Sequence, residues 1–212
     1  MIYVAYARIP DTANANRLYD EVRSSFSNPE NLDYINEIMS RKNEAGKKES
    51  LCALMLLSKL VMKTNADMSS LILARSHNGK PYFKDSYLHF SLTHSKGYAA
   101  AALSDKSPVG LDLECSSVPP DTARKLAARW FNGKEGNEFS EGKECFARIW
   151  TKKEAYAKMH DIPLSEFVSK EKVNPEMSAE SAEYMHLEVN NCPLTLCKSS
   201  AYEEIIFFET KF

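Results

Sequence analysis

Along the chain, hydrophobic and polar positions recur with two different periods, and the switches between them outline the elements. MIYVAYARIP, at the start, reads as a short first strand. Residues 28–63 predict helix, with Leu51, Leu54, Met55 and Lys59 at helical spacing and Leu60 and Met62 thickening the apolar stripe. Its early part is basic, with Arg41, Lys42, Lys47 and Lys48. SSLILAR is a short apolar run, and HNGKPYF is turn chemistry, because Asn78-Gly79 can take positive φ and Pro81 fixes the exit. YLHFSLTHSKGYAAAALS predicts two strands joined around His94-Ser95-Lys96-Gly97. After the polar break SDKSP (104–108), VGLDLE predicts another strand.

The second half repeats this order loosely. DTARKLAARWFN predicts a helix with Asp121 as its N-cap, and EGKECFARIWTKKEAYAKMH a longer one ended by Asp161-Ile162-Pro163. EYMHLEV, PLTLCKS and EEIIFFETKF are strand candidates. The pattern is that of an α+β chain in two similar-sized halves, residues 1–104 and 105–212.

Composition narrows the function classes. With 212 residues, 43% hydrophobic and 26% charged, the chain is long enough for one large domain or two small ones, each with a core. A formal charge of −2 carries no nucleic-acid or membrane-surface footprint. No apolar run reaches the length of a membrane span, and the start lacks the basic and apolar regions of a signal peptide. A cytoplasmic location is expected. Five cysteines (52, 115, 145, 192 and 197) without C-x-x-C spacing read as reduced thiols.

Two stretches carry candidate chemistry. In GLDLE a strand would turn Leu111 and Leu113 to a core and Asp112 and Glu114 together to the other face. Two carboxylates held side by side repel unless a cation lies between them. Alone, such a pair more often marks a solvated strand face. In FARIWTKKEAYAK, Phe146, Trp150, Glu154 and Lys158 follow at intervals of four along one helix face. Phe146, Ile149 and Trp150 make that face the buried one, where Glu154 and Lys158 cost desolvation unless paired or bound. Three carboxylates beside a lysine are hard oxygen ligands suited to Mg2+, and an acid-lined Mg2+ site points to phosphoryl chemistry. A Mg2+-dependent nuclease would need E-x-K on a strand, whereas Glu154 and Lys158 lie four apart on a helix.

GLDLE followed by WTKKEAYAK resembles the 4'-phosphopantetheinyl transferases, in the longer, surfactin-synthetase-activating type. WFNGKE between them, and NGKPYF and LHFSLTHS upstream, resemble further elements of that family, so the likeness covers residues 78–158. The resemblance implies a pseudo-dimer of two α/β halves with the active-site cleft between them, working as a monomer. It implies transfer of the phosphopantetheine arm of coenzyme A to a serine of an apo acyl or peptidyl carrier protein, with release of adenosine 3',5'-bisphosphate. Asp112, Glu114 and Glu154 would bind Mg2+, Glu154 would act as general base, and Lys158 would offset or protonate the leaving group. Lys80, Thr93 and His94 match positions that hold the nucleotide. Lys153, on another side of the helix, is assigned a phosphate contact. Where the family brings an arginine to the 3'-phosphate, RKNEAGKKES offers Lys48 or Lys47. A coenzyme A or carrier-binding module without catalysis is the alternative; intact acids and Lys158 argue against it.

Overall fold

β1 (Ile2–Arg8) alternates its buried side chains between two different cores, and this sets the architecture. The computed structural model describes residues 1–173, 182–199 and 204–211. β1 pairs antiparallel with β5 (Tyr98–Ser104), which pairs antiparallel with β4 (His89–Ser95). Lys96 (φ 42°) and Gly97 (φ 80°) form the two-residue link between β4 and β5, both left-handed as a tight hairpin requires. Ala5, Ala7, Ala99, Ala101 and Leu103 turn to one face, where α1 (Ala15–Ser25), α2 (Asn31–Ser40) and α3 (Glu44–Val61) supply Leu18, Val22, Ile35, Leu51, Leu54 and Leu57. The alanine run of β5 is small enough for both faces to be covered closely.

On the other face, Ile2, Val4, Ala100 and Ala102 meet a second sheet. Its strands are β6 (Val109–Leu113), β8 (Cys192–Lys198) and β7 (Glu183–Val189), in the order β6-β8-β7 and antiparallel throughout. Val109, Leu111, Leu113, Leu194 and Leu196 form the shared core. The opposite face of this sheet carries α6 (Phe146–His160), followed by α7 (Leu164–Val173). α4 (Pro120–Trp130) and α5 (Gly133–Ser140) pack Ala127, Phe131 and Phe139 against Phe146 and Ile149 of α6. β2 (Ile72–Arg75) and β3 (Pro81–Lys84) form a separate hairpin. Among the described residues no helix is long and apolar enough to cross a membrane.

Several sequence expectations need correction. The helical stretch 28–63 is two helices, broken where Asn43 caps α3 through the Gly46 amide. Asp121 does not cap α4; Pro119 holds that place, and Asp121 sits in the first turn, where its charge favours the helix N-terminus. The helix expected from residue 141 starts at Phe146. α1, α5 and α7 were not anticipated, although Asn14 and the Asn132/Glu135 capping box mark two of them. β9 (Ile205–Glu209), from the end of the chain, returns to lie parallel beside β1 in the first sheet, so the chain's two sequence halves share a sheet. Glu203 and Phe212, which flank β9 within the expected strand EEIIFFETKF, lie outside the described residues.

Cysteines bring one more correction. Cys115 and Cys192 are joined in a disulfide, with Cα atoms 4.7 Å apart. The β6–β8 register pairs Leu113 with Leu194, and two residues further on the same progression sets Cys115 opposite Cys192. Seventy-seven residues separate them in sequence, and only cross-strand pairing brings them together. Cys52, Cys145 and Cys197 remain thiols.

Candidate active site

Gly110 opens the site by letting α6 settle directly on β6. A Cβ there would collide with the Ala155 carbonyl and come within 2.6 Å of the Met159 amide. One turn of α6 on either side of that contact then faces the next outward residue of the strand. Asp112 is buried, and its Oδ1 accepts hydrogen bonds from Lys158 Nζ (2.6 Å) and Thr93 Oγ1 (3.2 Å). Lys158 also donates to the Leu111 carbonyl at 3.3 Å. Thus Lys158 pairs with the strand acid and not with Glu154, the i,i+4 partner on its own helix. Glu114 accepts from Ser95 Oγ (3.0 Å) and from the Ser116 amide (2.7 Å).

Glu154 lines the same cleft as Asp112, Glu114 and Lys158, a space of about 270 Å³ that also reaches Thr93 and Trp150. Burial raises the Asp112 carboxyl above the ordinary carboxylate range; Lys158 and Thr93 oppose the shift and the Glu114 charge adds to it. Glu154 is raised by burial first and by the Asp112 charge second, with Lys158 opposing. Asp112 and Glu154 therefore each feel the charge of a neighbouring acid. Among the described residues, no group of three or more His, Cys, Asp and Glu side chains is set as it stands to hold a metal ion.

The cleft continues in two directions, with Leu92 lining all three parts. Toward the C-terminus of α6 lies a space of about 230 Å³ bordered by Gly79, Lys80, Glu154 and Lys158. Lys80 Nζ donates to the Met159 carbonyl (3.3 Å), at the negative end of the helix dipole, and burial lowers its pKa. Asp161 (φ 53°) ends α6 and takes hydrogen bonds from Ser76 Oγ and Asn78 Nδ2, fixing the β2–β3 turn against the helix end.

In the other direction a smaller space of about 130 Å³ is lined by Tyr34, Arg41, Ser50, Arg75 and His94. His94 Nδ1 lies 3.0 Å from Glu49 Oε2, and its Nε2 lies 3.3 Å from Ser50 Oγ. Glu49 also takes the Gly97 amide, so one α3 carboxylate holds both the imidazole and the hairpin turn. Burial lowers the His94 pKa, against the pull of Glu49. Arg41 donates to Ser50 Oγ at 2.9 Å, and Arg75 stacks over Tyr34 at 4.6 Å while it bridges to Glu37.

Measured against the residues expected from sequence, Asp112, Glu114, Glu154, Lys158, Thr93 and His94 converge, and Lys80 borders the adjoining space. Lys48 does not line any of these three spaces; Arg41 and Arg75 do, and neither was singled out from the sequence. Lys153 is a correction. It is fully buried, 2.7 Å from Glu135 of α5 and 5.3 Å over the Phe167 ring, on the side of α6 away from the cleft. That is a core ion pair and not a phosphate contact. The capping box at Asn132/Glu135 announces the start of α5 but not this pair, since its glutamate already accepts from the Asn132 amide.

Comparison with known proteins agrees with this geometry. Residues 108–203 match the model of the 4'-phosphopantetheinyl transferase superfamily. A Haemophilus influenzae protein provisionally named a 4'-phosphopantetheinyl transferase is 30% identical over 168 residues, 74% of this chain and 66% of that relative. The 4'-phosphopantetheinyl transferase AcpT of Salmonella typhi is 32% identical over 130 residues, 58% of this chain and 65% of its own length. The 4'-phosphopantetheinyl transferase gsp of Aneurinibacillus migulanus is 24% identical over 164 residues, 74% of this chain and 65% of its own. The chain thus spans just under two-thirds of the length of these relatives. The matched segment runs from the start of β6 past the end of β8 and holds Asp112, Glu114, Glu154 and Lys158. On these grounds the chain is similar to the 4'-phosphopantetheinyl transferase superfamily, through residues 108–203 and through relatives that carry that name.

Proposed function

We propose that this protein transfers the 4'-phosphopantetheine arm of coenzyme A to a serine hydroxyl of an apo acyl or peptidyl carrier protein. One observation carries the reading. Glu154 and Lys158 of α6 share with Asp112 of β6 and Glu114, just past its end, a single cleft that continues to Lys80 on one side and to Arg41, Arg75 and His94 on the other. An acidic centre flanked by basic arms suits a nucleotide with a diphosphate and a separate phosphate.

Asp112, Glu114 and Glu154 would hold Mg2+. Their chemistry fits it: three hard oxygen donors line one cleft, and the like charges on Asp112 and Glu154 call for a cation. A preformed group of three protein ligands is not required, because Mg2+ keeps several waters and binds through one or two carboxylates plus substrate phosphate. When bound, the metal supplies Lewis-acid neutralisation of the diphosphate.

The chain's own groups do the rest. Glu154, its basicity raised by burial, accepts the proton of the carrier serine as the serine oxygen bonds to the phosphorus on the pantetheine side. The bond from that phosphorus to the bridging oxygen breaks, and adenosine 3',5'-bisphosphate leaves with the electron pair. Lys158, 2.6 Å from Asp112, offsets the charge that develops there. Arg41 takes the place sought among the lysines of α3 for the 3'-phosphate, and its planar fork suits a phosphate better than an ammonium. Arg75 and His94 complete that subsite.

The wider reading extends the proposal to the surfactin-synthetase-activating type and to an internal pseudo-dimer. The strand orders β4-β5-β1 and β7-β8-β6 support the second point, each sheet backed by one long helix, α3 or α6. A monomer would suffice, since the chain supplies both sides of the cleft. Mass spectrometry of an apo carrier protein incubated with coenzyme A, Mg2+ and this protein tests the function. A mass gain of one phosphopantetheine arm supports it. No gain on fatty-acid, polyketide and peptide carriers, with the protein shown folded, overturns it.

A further inference from the structure

β4 and β6 belong to different sheets, yet they are joined by a repeated bond that ordinary sheet pairing does not make. Every second residue of β4 presents a hydroxyl: Ser91, Thr93 and Ser95. Every second amide from β6 onward donates to one of them. Leu111 N reaches Ser91 Oγ at 2.9 Å, Leu113 N reaches Thr93 Oγ1 at 3.2 Å, and Cys115 N reaches Ser95 Oγ at 3.0 Å. Two of these hydroxyls then pass their own proton to the acid one residue before the amide they accept from. Thr93 donates to Asp112 Oδ1 at 3.2 Å, and Ser95 donates to Glu114 Oε1 at 3.0 Å. At the third rung the equivalent residue is Gly110, which has no side chain to receive it.

We infer that Thr93 and Ser95 are positioning residues for the proposed metal site, each clamping one β6 carboxylate between the two sheets, rather than contacts to the nucleotide. The inference deepens the proposed function and rests on it. Thr93 is 4% exposed, and its hydroxyl already accepts one hydrogen bond and donates another, which uses the capacity a phosphate would need. Each hydroxyl orients a carboxylate from a strand in the other sheet, so the distance between the sheets and the aim of the acids are set together. Outer-shell hydrogen bonds of this kind are worth about 10–100-fold in metal affinity.

Ser91 supplies an internal control, because it makes the same stitch to an amide but holds no acid. Binding of Mn2+ in the presence of coenzyme A, followed by the electron paramagnetic resonance of the free ion, reads the effect without turnover. Thr93→Val and Ser95→Ala should each weaken Mn2+ binding about tenfold or more. Thr93→Ser should restore it, and Ser91→Ala should leave it within about twofold of the wild type. Thermal midpoints of all three hydroxyl-deletion variants should fall, since each removes the acceptor of one amide. Ser95→Ala, at a half-buried site, carries the test if Thr93→Val does not fold. Mn2+ binding by Thr93→Val and Ser95→Ala equal to that of Ser91→Ala overturns the inference while leaving the proposed function standing. A folded wild-type protein that binds no Mn2+ in the presence of coenzyme A overturns the metal reading, and the inference with it.

Discussion

Single side chains decide the chemistry, and their surroundings decide which ones. Glu154 was legible as an acid on the apolar face of a helix, a costly placement that asks for a reason. Glu154→Gln keeps shape and removes the base, so transfer should fall by about 10²–10⁴ with the thermal midpoint near that of wild type. Unchanged turnover would remove Glu154 from the mechanism. Arg41 was not legible as a site residue, because in sequence it is one cation in a basic run whose solvated face is the ordinary reading. Its place beside His94 and Ser50 depends on the break between α2 and α3. Arg41→Ala should weaken coenzyme A more than Lys48→Ala, and the gap should close with 3'-dephospho-coenzyme A, as calorimetry would read. Equal losses for both coenzymes would take Arg41 off the 3'-phosphate.

Among the elements, α6 matters most, because it carries two of the proposed catalytic groups and is held at fixed depth on β6. Gly110→Ala puts a methyl into the Ala155 carbonyl, and overpacking of this kind should cost about 3 kcal/mol or more. Chemical denaturation checks this; a midpoint equal to wild type would mean that α6 can back away freely. The other side of the helix is anchored by the Lys153–Glu135 pair, shielded from water on both partners. Lys153→Met leaves a buried carboxylate without its ammonium and should destabilise the fold by about 3–5 kcal/mol. Coenzyme A affinity of the folded fraction should stay close to wild type; a selective loss of affinity with stability intact would restore Lys153 as a phosphate ligand. Sequence spacing separated Lys153 from the Glu154 face correctly but could not say what lay on its own side, since α5 approaches only in three dimensions.

For the whole molecule, the proposed site depends on two sheets meeting, and its metal dependence can be checked without any substitution. Exhaustive removal of divalent ions should abolish arm transfer while docking of the carrier, read by size-exclusion or calorimetry, persists. Transfer that survives in EDTA would refute the role given to the three carboxylates. Loss of docking together with transfer would make the metal a structural requirement. What the amino-acid order determined by itself was local. Periodicity set the hairpin at His94–Gly97, the strand around GLDLE and the helix bearing Glu154 and Lys158, because side-chain direction follows from backbone period alone. Tertiary structure decided every pairing between distant segments: the return of β9 to β1, the bond between Cys115 and Cys192, the choice of Asp112 over Glu154 as partner of Lys158, and the hydroxyls of β4 on the acids of β6. Such contacts join residues tens to hundreds of positions apart, and their geometry depends on how sheets and helices stack, a quantity that no local pattern encodes.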